Sequence, residues 1–389
     1  MFSKFQSSPG PGGDSGRYPA QSNPARYCTV NGDAQAGGVW SPNPKALLDC
    51  FPHQEPAAPV CDWYRIVDAL VGIESQDLRF KSRFRQLYGE FLCHPPRVSD
   101  RVQQIYCRVQ VSDGVSTHLV TITTPEKVEI VDFLLNLYRD RGYAEMHDSP
   151  ADWRSLGFAR SGHPLLISKG AQVFVDAGQP WQALIATCVI NLAMRMQSEL
   201  LFFHAATVGI GGAGVLMAGD KGAGKSTLSM ALAAQGNEFF GDEVAAVRSQ
   251  TLELAPFRRA VSVRPGPQAP RVEKILGQTA CFTEKFPDGT NRRRAEASKL
   301  FPRKVADSLP LRWVFFLRSF EDRPRAEAFV PRANDLRLLA PLPCTFLGAS
   351  PAVTMMRVAK ILSKVNCYFL HPGLPEETAR LVEGIVRAG

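Results

Sequence analysis

The chain has 389 residues, of which 45% are hydrophobic and 21% are charged. This composition is typical of soluble globular proteins, and the length allows one large domain or two ordinary ones. The 45 Lys and Arg residues outnumber 37 Asp and Glu, so the net charge is +8, which favours anionic ligands or acidic partners. The densest basic run, residues 292–294, is short, and no interleaved basic and aromatic pattern accompanies it. We therefore expect no binding to nucleic acid.

The sequence predicts a cytoplasmic protein that does not bind membranes. No apolar segment follows the early lysine as in a secretory signal, and the longest apolar stretch, residues 183–194, is too short to span a bilayer. The nine cysteines contain no C-x-x-C pair. Several of them lie in apolar stretches, which indicates reduced and buried thiols.

Changes in composition along the chain predict three segments. Residues 1–57 are rich in Gly, Pro, Ser, Asn and Gln, and we expect a disordered N-terminal tail. Residues 58–178 alternate between apolar runs of strand and helix type, which predicts a small α+β domain. Residues 179–389 predict a second, α/β domain.

The predicted elements of the first domain follow in chain order. The stretch "DWYRIVDALVG" is amphipathic and predicts a helix, whereas "YCRVQVSD" and "HLVTITT" alternate as strands do. A helix is expected to begin at Thr124 and Pro125 and to end near Gly142. The runs "HPLLISKG" and "QVFVDAG" then predict a hairpin.

The second domain begins with a buried helix, residues 181–197, after Pro180. Next come a strand, "ELLFFHAATVGI", a Gly-rich turn and a second strand, "VLMA". Three further strands are predicted in "NEFFGDEVAAV", "RRAVSVRPG" and "LRWVFFLRS", of which the last is apolar enough to be central. A helix, a strand and a helix end the chain.

A glycine-rich loop lies between the strand "VLMA" and a helix. Residues 219–226, "GDKGAGKS", satisfy the pattern G-x-x-x-x-G-K-[ST] in its proper strand-loop-helix context. Its backbone amides would close around phosphate oxygens, while Lys225 would reach the β- and γ-phosphates and Ser226 would bind Mg²⁺. The pattern predicts an ATP site made by Gly219, Asp220, Lys221, Gly222, Ala223, Gly224, Lys225, Ser226 and Thr227. Asp220 and Lys221 would contribute only backbone amides.

Two adjacent acids, Asp242 and Glu243, end the apolar run that follows the loop helix. A strand end at this point would bring carboxylates back beside the phosphates, where they could bind the same magnesium ion. The alternative interpretation is a solvated acidic pair at a strand end.

The block "FHAATVGIGGAGVLMAGDKGAGKSTLSMALAAQGNEFFGDEVAAV", residues 203–247, resembles the C-terminal domain of the HPr kinase/phosphorylase family and its HPr-kinase-related members. The family has a histidine on a hairpin strand, a Gly-rich turn, the phosphate loop and then an acidic pair, and His204, the loop and Asp242 with Glu243 match that order. The resemblance implies a P-loop domain with the fold shared with PEP carboxykinases, and a possible homo-oligomer.

The resemblance also implies roles for individual residues. Asp242 would take the proton from an acceptor hydroxyl, and Glu243 would help Ser226 to bind Mg²⁺. His204 would lie near the γ-phosphate, although a histidine on such a strand is more often a core residue. The family's second signature has no clean match, and Arg264 in "RRAVSVRPG" is our choice for a phosphate or acceptor contact. The family usually has two aspartates where this chain has Asp242 and Glu243.

These features predict an ATP-dependent kinase that phosphorylates a hydroxyl of a protein or peptide. Two alternatives stay open, namely a small-molecule kinase and a nucleotide-binding regulator or assembly ATPase. The basic stretch "FPDGTNRRRAEASK" is either a solvated face or a mobile loop that supplies a guanidinium to the transferred phosphoryl group or grips an acidic acceptor peptide, with Arg293 as the choice.

Overall fold

The first sheet is built from the strands between residues 62 and 176. The computed structural model describes residues 43–51, 61–96, 102–112, 116–138, 141–146, 152–159, 163–263, 269–342 and 350–389. The nine strands pair in the order β3-β1-β2-β4-β5-β9-β8-β7-β6. Their bounds are β1 Asp62–Ile66, β2 Ala69–Ser75, β3 Leu92–Cys93, β4 Gln104–Val111, β5 Thr117–Thr123, β6 Tyr143–Met146, β7 Arg154–Phe158, β8 Pro164–Lys169 and β9 Gln172–Asp176.

Three helices pack against this sheet, and their apolar residues join those of the strands in one core. They are α2 Leu78–Tyr88, α3 Ile130–Leu137 and α4 Gln182–Arg195. Trp181, directly before α4, is fully buried and stacks on Phe80 of α2. The predicted helix 181–197 is therefore confirmed with its ends shortened by one or two residues.

The second sheet carries the strands that flank the glycine loop. Seven strands pair in the order β10-β14-β15-β19-β12-β11-β13, and β21 joins β19 and carries β20. Their bounds are β10 Leu200–Phe203, β11 Ala206–Ile210, β12 Ala213–Ala218, β13 Glu238–Gly241, β14 Ala245–Arg248, β15 Glu253–Ala255, β19 Leu309–Leu317, β20 Arg325–Phe329 and β21 Asn366–His371. β19 runs parallel to both β12 and β21. Its predicted central position is confirmed.

Helices cover both faces of this second sheet because its central strand is apolar on both. Phe315 and Leu317 of β19 pack with α5 Lys225–Ala234 and α9 Pro375–Ala388. Val314 and Phe316 pack on the other face with α8 Pro351–Leu362 and the 3₁₀ segment Ala333–Leu339. The whole is a mixed α/β fold with two large sheets.

A small third sheet lies beside the site described below. It has the order β16-β18-β17, with β16 Val261–Val263, β17 Cys281–Lys285 and β18 Asn291–Ala295. Two short helices, α6 Ala269–Leu276 and α7 Ala297–Leu300, contribute to its apolar cluster. Within the described part of the chain, no helix combines the length and the apolar composition needed to span a membrane.

Three sequence predictions are corrected by these elements. The expected helix in "DWYRIVDALVG" is the hairpin β1–β2, because Val67 takes a left-handed turn conformation at φ 55° and the flanking residues pair across it. The helix expected from Thr124 begins only at Ile130. Within the segment expected to be disordered, residues 44–50 form helix α1 Pro44–Cys50 because Leu47 and Phe51 bury themselves against Phe174 of the first sheet.

Candidate functional site

The loop between β12 and α5 takes a backbone path that depends on its glycines. Gly219, Gly222 and Gly224 all have positive φ, at 154°, 93° and 93°. A Cβ atom at Gly219 would lie 3.0 Å from the carbonyl oxygen of Leu317 on the neighbouring strand β19. Gly224 also begins helix α5, and no side chain caps the first amides of that helix. The loop therefore presents backbone donors and the positive end of a helix dipole, which together suit an anion.

Lys225 lies across this loop. Its Nζ donates hydrogen bonds to the carbonyl oxygens of Gly219 and Asp220, at 2.7 and 3.0 Å. Only 6% of the residue is exposed. These contacts hold a buried ammonium group at the loop, as the sequence pattern requires for a phosphate contact.

A cavity of about 620 Å³ opens in front of the loop. It brings together most of the predicted site residues, namely His204, Lys221, Gly222, Gly224, Lys225, Ser226, Thr227, Asp242 and Glu243. The remaining predicted loop residues, Gly219, Asp220 and Ala223, do not line this cavity. The other walls were not predicted from the sequence and come from Met230, Ser262, Ala269, Val272, Phe320, Glu321, Asp322, Gly373 and Leu374. Arg264 lies outside the described residues.

Asp242 lies in the turn between β13 and β14 and is only 2% exposed. Its Oδ2 accepts a hydrogen bond from the backbone N–H of Ser262 at 3.1 Å. Its Oδ1 is buried and has no hydrogen-bond partner among the described residues. Burial, followed by the charge of Glu243, raises the pKa of Asp242 from 3.8 to about 6. The side chain is therefore a buried carboxylate that can still gain and lose a proton near neutral pH.

Glu243 is held by three arginines. Its carboxylate oxygens lie 3.0 Å from Arg294 and 3.4 Å from both Arg259 and Arg292. Burial alone would raise the pKa of Glu243, but these guanidinium groups hold it well below its usual range. The alternative of a solvated acidic pair is wrong, because Asp242 is buried and Glu243 is enclosed by cations.

The arginine cluster continues behind Glu243. Arg294 is fully buried and also pairs with Glu284 on the adjacent strand β17, at 2.8 Å. Arg259 stacks on the ring of Tyr88 in α2 and lies 3.8 Å from Glu284. The acidic pair is thus connected to the third sheet and to a helix of the first sheet.

Arg293, the choice from the basic run, lines a cleft together with Glu243 but does not pair with it. The run forms strand β18, in which successive side chains point to opposite faces. Arg292 and Arg294 therefore share the face that meets Glu243, whereas Arg293 points away and pairs with Glu273 of α6. If the strand had been recognised in the sequence, the alternation of side chains along it would have pointed to Arg292 and Arg294 instead of Arg293.

His204 lies in the turn between β10 and β11. The sequence prediction of one continuous strand through this residue is therefore wrong, because the segment forms two strands. The residue is exposed, and its Nδ1 lies 3.1 Å from the carbonyl oxygen of Glu243. Because a carbonyl only accepts, Nδ1 carries the proton in this contact. The alternative of a core histidine is wrong, and the side chain is fixed beside the acidic pair.

The side chains with oxygen atoms that line the cavity are Ser226, Thr227, Asp242, Glu243, Ser262, Glu321 and Asp322. Among the described residues, no group of three or more His, Cys, Asp or Glu side chains is arranged to hold a metal ion. The Ser226 hydroxyl and the unpartnered Oδ1 of Asp242 line the same cavity and are of the type that Mg²⁺ prefers when phosphate oxygens complete its coordination. Glu243 fits this role less well, since its carboxylate is already engaged by arginines.

Comparisons with known proteins add little to this geometry. No protein-family model matches the sequence, and no curated protein sequence matches it. A solved structure of the HPr(Ser) kinase/phosphatase from Coxiella burnetii is similar over 48% of this chain and 94% of that one, with 16% identity and a TM-score of 0.24. The sequence identity and the TM-score are both too low to assign the chain to a family.

Proposed function

We propose that this chain is an ATP-dependent phosphotransferase that moves the γ-phosphoryl group to a hydroxyl of a protein or peptide. The observation that carries the proposal is the position of Asp242. A buried carboxylate, with one oxygen that no described residue contacts by a hydrogen bond and a pKa raised to about 6, lines the same cavity as a glycine-rich loop. Such a carboxylate beside a phosphate loop is suited to accept a proton from an attacking hydroxyl.

The loop would hold the nucleotide through its triphosphate. Three positive-φ glycines shape a backbone that can approach phosphate oxygens closely, and the uncapped start of α5 supplies further amides. Lys225 now satisfies its ammonium group with two loop carbonyls and would exchange these for phosphate oxygens. Phe320 and Leu374 give the cavity an apolar wall suited to a base.

Ser226 and Asp242 are the residues that would hold Mg²⁺, with Glu243 as the third predicted ligand. When bound, the ion would offset the negative charge of the phosphates. Glu243 would have to release part of its arginine contacts to reach the ion, so we assign it mainly to fixing the turn that carries Asp242.

In the proposed reaction the acceptor hydroxyl oxygen forms a bond to the γ-phosphorus as the bond from that phosphorus to the bridging oxygen breaks. ADP leaves with the bonding electron pair, and the hydroxyl proton passes to Asp242. Lys225 and the loop amides bind the transferred charge. His204, fixed by the Glu243 carbonyl at 3.1 Å, would orient the acceptor beside the acidic pair.

The finer parts of the proposal rest on the resemblance of residues 203–247. The first is a P-loop fold of the HPr kinase and PEP carboxykinase type. The second is a division of the chain into a tail, a small domain that ends at residue 178 and a kinase domain. The third is self-association. The order strand, loop, helix and acidic turn, realised as β12, residues 219–224, α5 and Asp242, supports the fold assignment.

The test is transfer from γ-labelled ATP to acceptors in a fractionated lysate. We expect label on a serine-containing protein or peptide, lost by at least about 100-fold in Asp242→Asn while ATP affinity stays within about threefold. Asp307→Asn, which removes an exposed acid outside the cavity, is the matched control. Label on a small molecule, or phosphate release that needs no acceptor, would support the two alternatives instead, and full transfer by Asp242→Asn would remove its role as base.

A further inference from the structure

A second cavity, of about 470 Å³, lies between α2, the start of α4 and strand β17. Three cations from two of these elements line it: Arg79 and Arg83 of α2, and Lys285 of β17. Its single acidic lining residue among those described is Glu284, whose charge is already engaged by Arg294. The cavity therefore carries an excess of positive charge that the described residues do not neutralise.

The three cations are available to a ligand. The side chains of Arg79 and Lys285 are exposed and form no ion pair with any described residue. Arg83 lies over the ring of Phe282 with 4.9 Å between guanidinium carbon and ring centre, and its Nη1 is buried without a hydrogen-bond partner in the described chain. A buried N–H donor without a partner costs free energy, which an anionic oxygen placed in the cavity would recover.

The backbone along this cavity belongs to an edge strand. β17 pairs with β18 on one side, and no described strand pairs with its other side. The cavity touches three consecutive residues, Thr283, Glu284 and Lys285. Because consecutive side chains point to opposite faces of a strand, contact with all three places the cavity along the strand edge itself. An extended peptide can pair with such an edge.

The same edge leads toward the proposed transfer site. Thr283 also lines a larger cleft, of about 1160 Å³, which contains His204, Lys221 and Glu243. These three residues line the cavity of the glycine loop as well. A chain bound along β17 therefore continues into the space beside the acidic pair.

We propose that this groove, formed by Arg79, Arg83 and the edge of residues 283–285, binds an extended acidic segment of the phosphoryl acceptor. The peptide backbone pairs with β17, and its carboxylates pair with the three cations. This inference rests on the proposed function in one respect, which is that the bound segment is named as part of the phosphoryl acceptor. The recognition of an acidic strand is a property of the groove itself.

The direct test is the anisotropy of a fluorescent peptide of alternating Glu and Thr, measured with the full chain at low salt and without nucleotide. We expect saturable binding that weakens at least about fivefold in Arg79→Gln/Lys285→Gln, because two ion pairs are lost. Lys127→Gln/Lys360→Gln removes the same charge from exposed positions elsewhere and should change the affinity by less than about twofold. An equal loss of peptide affinity in both double variants would show only a general effect of charge and would overturn the proposal that the groove binds the peptide.

Two further measurements distinguish strand pairing in the groove from the binding of a small anion. A peptide with N-methyl groups on alternate amides should lose its affinity, and unchanged binding would contradict strand pairing with β17. Displacement by inorganic phosphate at concentrations equal to those of the peptide would indicate a small-anion site and overturn the proposal. Because the peptide assay contains no nucleotide and the transfer assay requires it, failure of the phosphotransferase proposal and failure of the groove give different results.

Discussion

The two walls of the proposed nucleotide cavity are built in opposite ways. The loop wall is made of main chain, with three positive-φ glycines and the start of α5. The carboxylate wall is made of buried side chains, in which Glu243 and Glu284 are held by Arg259, Arg292 and Arg294. The first offers fixed dipoles on a backbone path that glycine adopts without strain. The second depends on a balance of charges from distant segments, so losing one partner leaves another buried and unpaired.

The largest predicted effect comes from breaking that balance. Arg294→Met removes a fully buried cation from between two carboxylates, and we expect the free energy of unfolding to fall by about 3–5 kcal/mol. Arg293→Met is the matched control one position away, where an exposed pair with Glu273 contributes about 1 kcal/mol or less. Urea denaturation of both variants measures the difference. Equal and small changes in the free energy of unfolding would show that the arginine cluster does not stabilise the carboxylate wall.

The next effect is a gain in stability at Asp242. The folded-state pKa of this carboxyl is raised from 3.8 to about 6 by burial, so the folded state loses stability as the pH rises between these two values, and the full cost is present above the folded pKa. Asp242→Asn should therefore raise the free energy of unfolding at pH 8 by up to about 3 kcal/mol. The gain should shrink as the pH falls from 6 toward 4. Thermal denaturation across this range, with Asp307→Asn as control, tests the sign, and a gain that grows toward acid pH would contradict it.

A smaller effect tests the loop wall. Gly222 occupies a variable position of the sequence pattern but has φ 93°, and a Cβ there would meet no other atom within 4 Å. Gly222→Ala should cost about 1–2 kcal/mol through backbone strain alone. Gly384→Ala, inside helix α9 with equally open space, should instead stabilise by about 0.5–1 kcal/mol. A gain in stability in both variants, by urea denaturation, would show that the loop tolerates a side chain.

The loop wall could be predicted from the sequence because its determinants are contiguous. The strand, the glycines, Lys225 and the following helix occupy residues 213–234, and local pattern specifies each of them. The position of Asp242 beside the loop followed from the order of the elements. The central place of β19 followed from its apolar composition.

The carboxylate wall could be predicted only in part. Arg294 meets Glu243 across 51 residues of chain, and nothing local in "NRRRA" distinguishes Arg294 from Arg293 until the strand and its register are known. The missed hairpin β1–β2 has a similar cause, since a short apolar run fits both helix and strand periodicity and the turn at Val67 decided between them.

The central claim, that the loop wall binds the phosphates of ATP, has one direct test. The affinity of the chain for a fluorescent ATP analogue should fall about 100-fold in Lys225→Ala, because a buried ammonium group would be lost from the phosphate contact. Lys364→Ala, at an exposed position outside the cavity, should leave the affinity within about twofold. Unchanged affinity in Lys225→Ala would contradict the assignment of residues 219–226 as the phosphate site.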